Sequence, residues 1–248
     1  MKLVIIAAGQ GSRLKSETNN NPKALTVVNG YPIIDILLNN CIINHINEII
    51  IITGYDKSSI RNYLDDKWSS LKIEFIYNCD WKLENGISVL KAKSSIDPGE
   101  EFMISMSDHL YFPDLMKKIK ESSLSNKVAN VGLDFKVNDI FDLDDGMKVK
   151  VRVEDMLVEA MSKTLGVYNA IDVGVFKCSY EFFSFLERLN NRGSCSLSTG
   201  CNELIDQKLL GGVDIQKSFW LDIDTPEALH FSQNSKIVTD LIHNLNLS

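Results

Sequence analysis

Paired cysteines and clustered metal-type histidines are missing from this chain. Its five cysteines (Cys41, Cys79, Cys178, Cys195, Cys201) are odd in number and irregularly spaced, with no CxxC pair. The four histidines (His45, His109, His230, His243) show no zinc-ligand spacing. Disulfide scaffolds and structural zinc sites are therefore excluded, and reduced thiols in a cytoplasmic protein are the expectation. Dense runs of lysine or arginine are also missing, which argues against a nucleic-acid stripe or a polybasic membrane patch. The N-terminal MKLVIIAAG carries a single lysine and an apolar run far below the roughly 20 residues of a membrane span, without a cleavage pattern. It reads as a first buried strand.

What is present is an ordinary globular composition: 248 residues, 44% hydrophobic and 24% charged, with a net charge of −7. An acidic protein that handles phosphates has to concentrate its few cations locally, with a metal to help. Apolar runs at 3–7, 48–53, 72–77 and 102–106 read as strands, and the spacing at 33–43 and 58–68 reads as helix. This alternation predicts a Rossmann-like, three-layer α/β/α fold with a mainly parallel central sheet. After about Asn126 the texture changes. Strands are expected at 128–135, 147–158 and 171–176, and the Val/charged alternation of MKVKVRVEDMLVEAM predicts an antiparallel elaboration. Helices are expected at 180–189 and 197–210, and a last one from Thr225-Pro226-Glu227, which has a threonine cap and proline at the first position. No linker divides the chain, so residues 1–248 read as one domain with halves at 1–126 and 127–248.

Four segments carry chemistry. Ala7-Ala8-Gly9-Gln10-Gly11-Ser12-Arg13-Leu14 follows the first strand. Its glycines bring backbone N–H groups near a ligand, and Arg13 offers a fork of donors for phosphate. GxxxxGK[ST] does not occur here, and Leu14 stands where GxGxxG needs its third glycine. The loop alone fits a tight turn as well as a phosphate cradle. Ser107-Asp108 closes an apolar strand at the carboxyl edge, where open α/β sheets bind ligands. A carboxylate there suits Mg²⁺. Asp222 and Asp224 alternate by two before a helix N-terminus and share a face if extended. Finally, Asn85-Gly86 offers donor, acceptor and room for a flat base, or a plain turn.

Taken with Asn21-Pro22-Lys23-Ala24-Leu25, the loop resembles the paired AAGxGSRL and PKAL signature of nucleotidyltransferases. The order ENG-x-S (84–88), MSDHL, Lys163-Thr164-Leu165, YNAIDVGVF (168–176) and FWLDIDTPE further resembles the inositol-1-phosphate cytidylyltransferases over nearly the whole chain. That resemblance implies a nucleoside triphosphate, CTP, and a phosphorylated small alcohol as partners, with CDP-inositol as product. It implies a chain matching the cytidylyltransferase part alone, without a fused membrane transferase. It assigns Ala7, Ala8, Gly9, Gly11, Ser12, Arg13, Lys23, Asn85, Gly86 and Ser107 to the nucleotide. His109, Lys163, Asp172 and Gly174 go to the acceptor. Asp108 with Asp222 or Asp224 would hold Mg²⁺, and Arg13, Lys23 and Lys163 would act in catalysis. Ile87 and Val173 depart from the family's usual aromatic and threonine, near the inferred pocket. Alternatives are a cytidylyltransferase for phosphocholine or an aminophosphonate, with Trp81, Glu84 and Trp220 as a cation cage; a sugar-1-phosphate nucleotidyltransferase; and a nucleotide-sensing domain without activity.

Overall fold

The computed structural model describes residues 1–14, 21–65, 67, 68 and 70–245. Strand β1 (Lys2–Ala7) is followed by a small hairpin, β2 (Val27–Val28) and β3 (Tyr31–Pro32), and by helix α1 (Ile33–Ile43). Next come β4 (Glu48–Thr53), α2 (Lys57–Leu64), β5 (Lys72–Tyr77), α3 (Asn85–Lys91), β6 (Glu101–Met106), β7 (His109–Tyr111) and α4 (Pro113–Glu121). The second half contains β8 (Ala129–Asp134), β9 (Lys148–Arg152), β10 (Leu157–Ser162), β11 (Ala170–Ser179), α5 (Phe182–Asn191), α6 (Leu197–Asp206), β12 (Leu210–Asp214), β13 (Trp220–Asp222), α7 (Pro226–Asn234) and α8 (Lys236–Asn244).

Nine strands form one mixed sheet in the order β5-β4-β1-β6-β11-β8-β12-β10-β9. The first four pair in parallel, β11 runs antiparallel to both β6 and β8, and β9 pairs antiparallel with β10. The three-layer expectation follows from burial. Leu3, Ile5 and Ala7 point into one apolar cluster with Ile33, Leu37 and Met116, whereas Val4 and Ile6 point into a second with Val89, Phe183 and Leu204. Alternate side chains enter opposite layers, so the run has to be apolar at every position. Each such side chain contributes about 1.5–3 kcal/mol on full burial.

Four sequence expectations shift. The helix expected over 58–68 closes at Leu64, with Asp56 capping its start; Asp66 lies outside the described residues. The strand expected over 147–158 is two strands, broken by a turn in which Met156 has φ 54° and the Asp155 carboxylate accepts from Leu157 N. The helix expected over 197–210 ends at Asp206, because Lys208 turns left-handed (φ 60°) and β12 begins at Leu210. Helices α4 and α8 and the short strands β7 and β13 were not anticipated. The helix from Thr225 is as expected, with the threonine hydroxyl accepting from Ala228 N at 3.1 Å.

Gly86 stands where α3 crosses the chain entering α6. A Cβ there would lie 2.5 Å from the Cys195 carbonyl oxygen, a backbone atom. Alanine gains about 1 kcal/mol of helix propensity over glycine, but overpacking against backbone costs about 1–3 kcal/mol, and valine would cost more. Gly86→Val is therefore expected to lower the melting temperature by several degrees, at about 2–4 °C per kcal/mol, as read by calorimetry.

Candidate active site

Backbone pairing of β7 with β13 assembles the centre of the site. Asp222 is registered opposite His109, and Ile223 N donates to the Asp108 carbonyl at 2.9 Å. Two segments more than a hundred residues apart thus bring their acids together. Carboxylate and imidazole atoms of Asp108, His109 and Asp222 lie within 4.8 Å of one another. Lys23 Nζ donates to Asp108 Oδ2 at 2.7 Å, and His109 Nδ1 bonds Asp108 Oδ1 at 2.8 Å. On the other side of the cavity Arg13 pairs with Asp224 and, at 3.0 Å, with Asp145; Lys163 Nζ reaches the other Asp145 oxygen at 2.5 Å. These groups line one cavity of about 620 Å³.

The electrostatics follow from crowding. Burial works to raise the Asp108 carboxyl, but Lys23 and His109 hold it well below the usual carboxylate range. Burial works to lower His109, yet Asp222, Asp108 and Asp172 reverse this and bring it up to about 9. A protonated imidazole donates from both nitrogens, so His109 is not poised as a general base. Asp222 is pushed up to about 7 by burial and by Asp108, against His109 and Lys23. Its Oδ1 is buried with no hydrogen-bond partner, and His109 Nδ1 stands 3.7 Å away. An orphaned buried carboxylate oxygen is costly, on the order of 1–3 kcal/mol, and beside a second carboxylate it fits a hard divalent cation.

The expected site residues divide. Arg13, Lys23, Asn85, Asp108, His109 and Lys163 all face the cavity, as do Asp172, Gly174, Asp222 and Asp224. Ala7 and Ala8 are buried at the end of β1, where the Ala8 carbonyl accepts from Tyr55 N. Gly9 and Ser12 are exposed. A Cβ at Gly9 would meet no atom of the described residues within 4 Å, whereas at Gly11 (φ 63°) it would lie 2.6 Å from Lys23 Cγ. Ser107 is buried in the turn between β6 and β7. Gly86 differs from the base-approach reading, because its missing side chain accommodates the Cys195 carbonyl. Asn85 Oδ1 accepts from Leu197 N at 2.8 Å, and a Glu84 carboxylate oxygen accepts from Cys195 N. Glu84 is thus committed to the fold, while Trp81 packs on Tyr55 and Trp220 on His109, so the suggested cation cage is not assembled from these three. Val173 is wholly buried in the core, and Ile87 packs against the second apolar cluster, away from the role in the pocket that their departure suggested.

Asp145, Asp134 and Lys136 also line the cavity and were not anticipated. Asp134 Oδ2 accepts from Trp220 Nε1 at 2.9 Å, and Oδ1 from Lys136 Nζ at 2.7 Å. The signal for Asp145 was the acidic turn DLDDG ahead of an alternating strand, a pattern that reads equally well as a solvated loop.

A mixed α/β sheet here brings cations and paired acids into one cavity, an arrangement that could hold phosphate groups and a metal. The comparisons give that class its family: the nucleotidyl transferase model matches residues 2–137, and the chain belongs to that family. Among relatives, the "Bifunctional protein GlmU" of Methanococcus maripaludis is 31% identical over 91% of this chain and 52% of its own length. The "Bifunctional IPC transferase and DIPP synthase" of Archaeoglobus fulgidus is 30% identical over 92% of this chain and 42% of its own. The chain thus spans about half the length of the curated relatives it matches. In structure it is similar to the inositol-1-phosphate CTP transferase from T. maritima, with a TM-score of 0.85 at 19% identity over 100% of this chain and 96% of that one. A putative glucose-1-phosphate thymidylyltransferase from Bacillus anthracis has a TM-score of 0.82 at 18% identity over 97% and 96% of the two chains. Among the described residues no helix is long and apolar enough to cross a membrane.

Asp172 yields a stability test. Burial raises its carboxyl to about 6, only partly opposed by the Gly174 N–H at 2.7 Å and by His109. The charged form is therefore penalised in the folded protein, fully above about pH 6 and not at all well below the unfolded value near 4. Asp172→Asn should raise stability at pH 8 by about 1–2 kcal/mol, allowing for partial solvent screening. The gain should shrink as pH falls from 6 towards 4, as read by thermal melts at pH 8 and pH 5.

Proposed function

We propose that this chain is a Mg²⁺-dependent CTP:inositol-1-phosphate cytidylyltransferase, producing CDP-inositol and pyrophosphate. The observation that carries the reading is the convergence on one cavity of Lys23, Arg13 and Lys163 with the Asp108–Asp222 pair. The named inositol-1-phosphate and IPC transferases among its likenesses support the acceptor. A second reading, a sugar-1-phosphate nucleotidyltransferase, is favoured by the likeness to the putative glucose-1-phosphate thymidylyltransferase.

In the proposed reaction an acceptor phosphate oxygen attacks the α-phosphorus of the triphosphate. The new P–O bond forms as the bond to the β-phosphate bridging oxygen breaks, and pyrophosphate leaves with that electron pair. A phosphate monoester has its second pKa near 6, so the nucleophile is already ionised and no base is needed. That agrees with a protonated His109. The chain's own task is positioning and charge. The open space above Gly9 leaves room for the triphosphate to approach the backbone at the end of β1. Arg13 and Lys23 neutralise charge on the triphosphate, and Lys163 faces the acceptor phosphate. Asp172 and the Gly174 strand of β11 form the polyol side. Asp108 and Asp222 would hold Mg²⁺, which supplies Lewis-acid neutralisation of phosphate oxygens. Asp224, paired with Arg13, orients that guanidinium instead of binding the ion.

The direct test incubates the protein with each nucleoside triphosphate, Mg²⁺ and a panel of phosphorylated alcohols and sugars, following pyrophosphate release. Turnover with CTP and inositol 1-phosphate is expected; turnover confined to glucose 1-phosphate would establish the second reading, and none with any pair would favour a sensing domain. Asp222→Asn should lower kcat at least about 100-fold, the loss expected of a group that holds transition-state charge. Asp224→Asn should mainly raise KM for the triphosphate, and equal losses of kcat would contradict the division of roles. Gly9→Ala should fold normally, since its Cβ meets no atom of the described residues within 4 Å, yet raise KM for the triphosphate by about tenfold or more, a steric cost above about 1.4 kcal/mol.

A further inference from the structure

The segment between β8 and β9, a strap at 135–147, lines one wall of the cavity. Lys148, itself buried, donates from Nζ to the carbonyls of Leu143, Asp144 and Gly146 at 2.9, 3.0 and 3.3 Å. Gly146 N donates back to the Asp142 carbonyl at 3.2 Å. At the opposite end Lys136 Nζ donates to Asp134 and to the Gln216 carbonyl, each at 2.7 Å. Both ends of the strap are thus held by lysines, Lys148 buried and Lys136 partly exposed.

Its side-chain contacts with the rest of the cavity lining are of another kind. Phe141 packs on Phe231 with ring centroids 4.5 Å apart, both rings partly exposed. Asp145 places one oxygen on Arg13 and the other on Lys163, side chains that are 53% and 50% exposed and belong to opposite halves of the chain. Exposed pairs of this type hold with little free energy, because water screens them and long side chains lose freedom. A phosphate group offers more charge and more acceptor oxygens than one carboxylate, and so competes well for the same donors.

We propose that Asp145 is a built-in anion: it clasps Arg13 and Lys163 while the cavity holds no phosphate, and a phosphate group displaces it from both cations. The inference rests on the reading of Arg13 and Lys163 as phosphate-binding cations. It adds to that reading a competitor encoded in the chain. One anion is exchanged for another, while Lys148 keeps the turn that carries Asp145 in place. Asp145 therefore sets how readily phosphate groups enter.

The test uses inorganic pyrophosphate as the probe, without acceptor, and calorimetric titration. Asp145→Asn keeps the size of the side chain and removes its charge, and should bind pyrophosphate about three- to tenfold more tightly, the range set by losing exposed ion pairs. Phe141→Ala, which leaves the charge of Asp145 in place, should shift affinity less than Asp145→Asn does. Unchanged or weaker binding by Asp145→Asn, or no pyrophosphate binding at all, would each overturn the proposal. Turnover of acceptors is a separate measurement. A protein that makes pyrophosphate from CTP and inositol 1-phosphate without the affinity shift would refute the strap alone, and one that shows the shift without that turnover would refute the acceptor alone.

Discussion

The site depends on one contact, the ion pair of Lys23 with Asp108 across 85 residues of sequence. To make it, the lysine stem has to pass over the N-terminal loop at a point where no side chain fits: a Cβ on Gly11 would lie 2.6 Å from Lys23 Cγ. Gly11 is also left-handed, at φ 63°, so two independent constraints select glycine there. Gly9 is subject to neither. The two glycines of one motif therefore do different things, one closing the loop onto Lys23 and the other leaving it open above.

Much of the first half was legible because β1, β4 and β6 are buried on both faces and β5 at the sheet edge is β-branched and aromatic. β4 and β5 have the limits read from sequence, and the carboxyl-edge position of Asp108 follows from β6 ending in a polar turn. The second half was harder for a physical reason. Strands β9, β10 and β12 are short and only partly buried, and the starts of β10 and β12 follow turns at Met156 and Lys208, non-glycine residues in the left-handed region. No local pattern announces such a residue, which is held there by tertiary contacts. β12 hid behind a Gly-Gly pair that lowers strand propensity but fits beside β8, where a Cβ on either glycine would strike Asn130 or Leu133.

The site itself was legible as a list of residues and not as an arrangement. Alternation by two put Asp222 and Asp224 on one face of an extended segment, and both do line the cavity. What separates them is the β7–β13 ladder. It stops at Asp222, leaving that carboxylate beside His109 and Asp108, while Asp224 emerges next to the cap of α7 and meets Arg13. Asn85-Gly86 shows the converse. A turn-like dipeptide in a suggestive place sits on a helix start and is committed, through Cys195 and Leu197, to holding α3 against α6.

A chain with net charge −7 was expected to concentrate its few cations locally; Arg13, Lys23 and Lys163 line one cavity, and each of the three is already paired. Lys23 is paired with Asp108, Arg13 with Asp224 and Asp145, and Lys163 with Asp145. Pre-pairing lets positive side chains converge without mutual repulsion, and it holds them in place before a ligand arrives. It also means that an incoming polyanion meets a surface already neutralised. Part of its binding free energy then goes into exchanging carboxylates for phosphate oxygens, and the deficit has to come from a further positive charge. On the proposed reading, a cation held by Asp108 and the orphaned oxygen of Asp222 would supply it.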